Sequence, residues 1–242
     1  EANTTASSNT AVGRQALTAN TTGTENTAVG MSSSIANTTG NYNASFGKGT
    51  LQTNTTGSQN TAIGTNSLQS ATTANSNTGV GYYALQANTT GDLNTAVGAL
   101  SLDANTVGDR NTALGYKSLT TFNPSSNADT YNTAVGALSL QNLTTGTTNT
   151  AVGGQAMELA TTGAQNVAMG YGALNANTTG SGNTAVGNAT LDANTTADNN
   201  TAMGNQALSA NTTGSLNVGV GTLALTANTT GVQNVAVGVE AL

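Results

Sequence analysis

Asparagine followed by two threonines is the grouping in this chain most able to take part in chemistry. Asn-Thr-Thr stands at Asn20, Asn37, Asn54, Asn88, Asn177, Asn194, Asn211 and Asn228, and also near the start at Asn3. The tripeptide accepts asparagine-linked glycans, so these residues are candidate glycan sites along one edge of the protein. Asn-Thr-Thr-Gly is equally ordinary turn chemistry, because short polar side chains bond their own backbone. Little else could react. Histidine and cysteine are absent, which removes most transition-metal sites, thiol catalysis and the Ser-His-Asp triad together. The chain has 10 acidic residues against 4 basic ones, Arg14, Lys48, Arg110 and Lys117, too few to grip nucleic acid. No paired carboxylates, metal cluster or nucleophile constellation recurs, so neither an enzyme nor a cofactor or metal site is expected. No apolar run approaches the length of a membrane span.

The elements that must position these residues follow from repetition. Asn-Thr-Ala-Val-Gly and its variants begin at Asn9, Asn26, Asn43, Asn60, Asn77, Asn94, Asn111, Asn132, Asn149, Asn166, Asn183, Asn200, Asn217 and Asn234. All the intervals equal 17 except one, from Asn111 to Asn132, which equals 21. A period of 17 is too short for helical-pair repeats or propeller blades. It suits one coil of a parallel β-solenoid, with two short strands and two turns to the circuit, rich in β-branched residues and turn glycines. The expected fold is therefore all-β, a single continuous solenoid over residues 1–242 with about 14 coils. The end pieces, Asn234–Leu242 followed by Glu1–Ser8, spell one further repeat in register. The chain is accordingly expected to be cut from a longer array or to stack head to tail into filaments.

Counting each coil from its Asn-Thr-Ala-Val-Gly, every column has a reading. Asn at position 1 suggests an asparagine ladder, amides stacked along the axis and satisfying one another. Position 5 is glycine throughout, at Gly13, Gly30, Gly47, Gly64, Gly81, Gly98, Gly115, Gly136, Gly153, Gly170, Gly187, Gly204, Gly221 and Gly238. That fits a turn with positive φ or a close backbone approach. Position 4 is always apolar and position 9 is leucine except at Ser34 and Met157, so Val at 4 and Leu at 9 are the expected core rows. Positions 2 and 4 share a strand face. Charge is scarce because a charged column would stack like charges about 4.8 Å apart along the axis.

The break in periodicity lies within 120–131, a four-residue excess expected to bulge outward as a loop. It holds Phe122 and Pro124, the latter the only proline, and is a candidate contact loop. Tyr82, Tyr116 and Tyr171 share position 6 but not neighbouring coils. One Val and one Leu per coil make a thin core, so a partner covering the apolar rows is expected.

Asn-Thr-Ala-Val-Gly-x-x-Ala-Leu and Asn-Val-Ala-Met-Gly-x-x-Ala-Leu resemble the repeats of YadA-like trimeric autotransporter heads, and are similar to the repeat shafts of bacteriophage tail fibres. The resemblance runs through the whole chain. It implies a left-handed β-roll, three parallel chains about one axis, and an extracellular fibre or adhesin on a cell surface or virion. The partners expected are then the chain itself, as homotrimer or head-to-tail filament, and a host-surface or matrix ligand. The unit here is about three residues longer than the usual head repeat, in the region occupied by Ala-Asn-Thr-Thr-Gly. Paired threonines such as Thr21/Thr22, Thr38/Thr39 and Thr55/Thr56 also resemble the rows of ice-binding solenoids, which gives an alternative function.

Overall fold

The structure, a computed structural model, describes residues 3–242. The chain forms two compact units, Glu1–Asp129 and Thr130–Leu242. Each is a parallel β-solenoid with roughly 17 residues to the turn, and no helix occurs among the described residues. In the first unit the strands are β1 (Thr10–Val12), β2 (Thr27–Val29), β3 (Ala44–Phe46), β4 (Thr61–Ile63), β5 (Thr78–Val80), β6 (Thr95–Val97) and β8 (Thr112–Leu114), with a short pair, β7 (Gly108–Asp109) and β9 (Ala128–Asp129). The second unit carries β10 (Thr133–Val135), β11 (Thr150–Val152), β12 (Val167–Met169), β13 (Thr184–Val186), β14 (Thr201–Met203), β15 (Val218–Val220) and β16 (Val235–Val237). Equivalent residues pair in register, Thr61 with Thr78 and Ile63 with Val80.

Each coil has one three-residue strand where the sequence predicts two. The opposite side is a run of turns. Its backbone is nonetheless bonded along the axis, with Leu68 N–H to Ala84 O at 3.0 Å and Thr72 N–H to Thr89 O at 3.0 Å. The turns depend on residues in the left-handed region at positions 7, 9 and 17, such as Asn66 (φ 57°), Leu68 (φ 50°) and Ser76 (φ 56°). For non-glycine residues that conformation costs about 1–2 kcal/mol each. It is compensated because it aims each N–H along the axis. Asn66 N–H reaches Lys48 O, and Ser76 N–H reaches Ser58 O, at 2.9 and 3.0 Å. Extended backbone alone could not close so small a circuit.

The core differs from expectation in one row. Leu at position 9 is buried as predicted in every coil except the last, where Leu242 is exposed, but Val at position 4 faces outward. Positions 2 and 4 do share a face, and it is the outer one. Ala at position 3 points in and is fully buried, as at Ala62, Ala96 and Ala113. The interior therefore holds one leucine row opposite one alanine row, flanked by asparagines, and is too narrow for a second branched column. Phe46, Ile63, Met169 and Met203 at position 4 are 40–45% exposed.

The coil without leucine explains its own exception. Ser34 lies beside Ser45, the one serine in the alanine row. Their hydroxyls are 2.9 Å apart, and Ser33 joins them, bonding Ser45 Oγ at 2.7 Å and Thr50 Oγ1 at 2.9 Å. Four buried hydroxyls thus satisfy one another where a lone serine would be costly.

Candidate functional site

Polar side chains are organised into columns, and most are committed to the fold. At position 1, Asn60 N–H donates to Asn43 Oδ1 at 3.0 Å, while Asn60 Nδ2 donates to Ala74 O at 2.7 Å. The same arrangement runs from Asn9 to Asn111 in the first unit and from Asn132 to Asn234 in the second. The amide oxygen thus receives a backbone N–H as well as, more weakly, the next amide, as from Asn77 Nδ2 at 3.2 Å.

The Asn-Thr-Thr asparagines form a second buried ladder at position 12. Asn37 Nδ2 donates to Asn20 Oδ1 at 2.9 Å, and Asn54 Nδ2 to Asn37 Oδ1 at 2.8 Å. Asn20, Asn37, Asn54, Asn88, Asn177, Asn194 and Asn211 are at most 1% exposed, and Asn228 is half-buried. They do not line an outer edge, and a glycan on any of the buried seven would have no room in the folded coil. Asn3 is exposed. Where Ala71 replaces asparagine, the ladder stops, and Asn54 Oδ1 is left buried with no hydrogen-bond partner.

The threonine pairs are also structural in part. Thr55 Oγ1 donates to Thr72 O at 3.0 Å, and Thr38, Thr72 and Thr161 repeat the bond to the next coil. The first threonine of each pair therefore spends its proton on the backbone. The flat threonine row lies elsewhere, at position 2 of the strands, where Thr61, Thr78, Thr95 and Thr112 stand in register beside the apolar row.

Phe122 is fully buried and does not belong to an exposed contact loop. It sits at position 12, where most coils place asparagine, because a wholly apolar ring gains most in an interior poor in large side chains. Pro124 packs half-buried behind it: a Cβ on Gly108 would lie 2.9 Å from Pro124 Cγ and 3.0 Å from Phe122 Cε1. Three of the four excess residues emerge as Ser125, Ser126 and Asn127, all exposed. The chain returns through β9, and Arg110 Nε meets Asp129 Oδ1 at 2.6 Å.

Among the described residues, no group of three or more acidic side chains could hold a metal ion. The perturbed carboxyls are single. Burial raises Asp103 and Asp192, and each keeps Oδ1 out of water with no hydrogen-bond partner. Burial also raises Asp109, with Asp92 and Asp129 adding to the effect and Arg110 and the Asp92 N–H opposing it. A carboxyl raised in the folded chain above the ordinary 3.8 contributes stability that is present below that value and lost as pH rises through the raised one. The protein is therefore expected to resist denaturant better near pH 3.5 than at pH 7. In Asp103→Asn that difference should shrink. A midpoint that falls on acidification would contradict the assignment.

No known family model, characterised protein or solved structure matches this chain.

Proposed function

We propose that the protein is a structural fibre element, extracellular on a cell surface or virion, whose solenoids pack side by side as a parallel homotrimer. One observation carries the reading: the outward sheet face, with threonine at position 2 and a large apolar residue at position 4. A row that runs Val12, Val29, Phe46, Ile63, Val80, Val97 and Leu114 exposes apolar surface at every coil of the first unit. Surface of that kind is a recognised mark of protein association. The resemblance to trimeric adhesin heads and tail-fibre shafts agrees with it, and so does a core built mainly of leucine and alanine.

The threonine row in register favours a second reading, an ice-binding surface. Side chains at position 4 that range from Val to Phe and Met make the face uneven, which suits interdigitation with another protein better than a flat lattice. Light scattering on a sizing column discriminates. A trimer is expected for the parent, and a monomer for the paired variant Val80→Lys/Val97→Lys. A parent already monomeric at micromolar concentration, together with clear thermal hysteresis, would overturn the fibre reading in favour of ice binding.

A further inference from the structure

The four basic residues look scattered in the sequence, yet three of them share one corner of the first unit. Arg14 and Lys48 occupy position 6 of the first and third coils, and Tyr82 and Tyr116 occupy the same position in the fifth and seventh. These four thus recur on every second coil, with the uncharged Met31, Thr65 and Ala99 between them. Tyr83 and Lys117 stand beside them at position 7. Tyr82 and Tyr116 are 52% and 50% exposed, Tyr83 meets Tyr82 edge-on with ring centres 4.1 Å apart, and Lys117 Nζ lies 5.5 Å from the Tyr116 ring centre. No carboxylate occurs at positions 5 to 8 of this unit.

The corner is also rigid. The carbonyls of Arg14, Lys48 and Tyr82 each accept an N–H from the next coil, from Ser32, Asn66 and Leu100, all at 2.9 Å. One step of the pattern is two coil rises, about 9.5 Å. We propose that this stripe binds a linear acidic polysaccharide lying along the solenoid axis, with one carboxylate per disaccharide. Two coil rises are close to the length of a disaccharide in an extended chain. The tyrosine faces stack on alternate sugars, whose C–H groups meet the negative face of the ring, and the cations meet carboxylates one disaccharide apart at Arg14 and Lys48 and two disaccharides further on at Lys117. Charge density separates this ligand from nucleic acid. Three cations over six coil rises are about one per 10 Å, against one phosphate per about 1.7 Å of duplex.

Binding of the full chain to unsulfated hyaluronan and chondroitin oligosaccharides of ten or more sugars tests the proposal. At least one is expected to bind, with affinity that falls as salt rises. Tyr82→Ala/Tyr116→Ala and Lys48→Gln should each weaken binding about tenfold or more, and carboxyl-reduced polymer should bind at least tenfold more weakly. Tyr171→Ala, in the same column of the second unit, and Tyr42→Ala, at position 17, should bind as the parent does. All the substituted side chains are exposed, so the variants should melt with the parent. No binding of either polymer, equal binding of the reduced polymer, or tighter binding of single-stranded DNA of matching length would each overturn the proposal.

Discussion

Gly98→Ala is expected to cost the first unit about 3–5 kcal/mol, enough to break its cooperative unfolding. Gly98 has φ +129°, a conformation that L side chains rarely adopt, and a Cβ there would sit 2.5 Å from Gly115 O and 2.7 Å from Gly115 C. The obstacle is backbone and cannot step aside. Gly115 N–H is held by Val97 O at 2.8 Å, so moving it would break the strand pairing beside it. Each coil touches only its neighbours, so one failed contact divides the array locally. The sharpest control is Gly172→Ala. Its φ is +63° and a Cβ would meet nothing within 4 Å. Gln155 and Ala189 already hold the equivalent position at φ 58° and 46°. That change should cost only the left-handed penalty, about 1 kcal/mol. Denaturant unfolding followed by hydrogen exchange reads both, and a Gly98→Ala protein that unfolds with the parent would refute the close-approach argument.

Asn60→Ala is expected to cost nearly as much, for an unrelated reason. It strips Asn77 N–H of its acceptor at 3.0 Å and Ala74 O of its donor at 2.7 Å. All of these residues are fully buried. Each stranded group costs about 1–3 kcal/mol, and the vacated side-chain volume adds to that. In this coil Ala71 stands where a second asparagine would share the load at position 15, so no neighbouring amide takes over. Asn60→Asp keeps an acceptor for Asn77 but loses the donor to Ala74, and puts charge beside Asn43 Oδ1. It should therefore be less stable at pH 7 than at pH 4, where a protonated acid can donate. If Asn60→Ala changes the unfolding midpoint no more than a surface substitution does, the ladder is ornament rather than support.

The fold was legible because a period of 17 admits few architectures, and strand pairing between equivalent residues follows from it directly. The direction of the faces was not. Interchange of Thr and Val at position 2 does indicate partial burial, but that burial comes from neighbours on the outer sheet face. Alanine at position 3 carried the inward signal and is too small to announce it. Asn-Thr-Thr misled in the same way. As a tripeptide it describes an exposed turn, while its asparagine turns inward to cap the carbonyl three residues on, as Asn20 Nδ2 does to Gly23 O at 2.9 Å. Phe122 was misplaced because the residues after it are inserted, although it still keeps the register of the coil it ends. The stripe of tyrosines and cations was visible only in fragments until charges and rings were placed in one column.

The uniform pairing of each strand residue with its equivalent one coil ahead also sets how the chain can acquire its structure. Every strand contact within a unit spans one circuit, so the entropy lost in closing each new loop is nearly the same from the first coil to the last. Lengthening such an array adds steps without adding a longer search. Once two coils have formed a nucleus, the next segment needs only to dock on an edge already in place. Elongation can then follow the ribosome, one turn for each repeat that emerges. The circuit that brings β9 back to β7 closes a slightly longer loop and supplies the largest buried side chain, Phe122, at the same point. The slightly larger closure cost is thereby offset by a strong apolar gain at the same point.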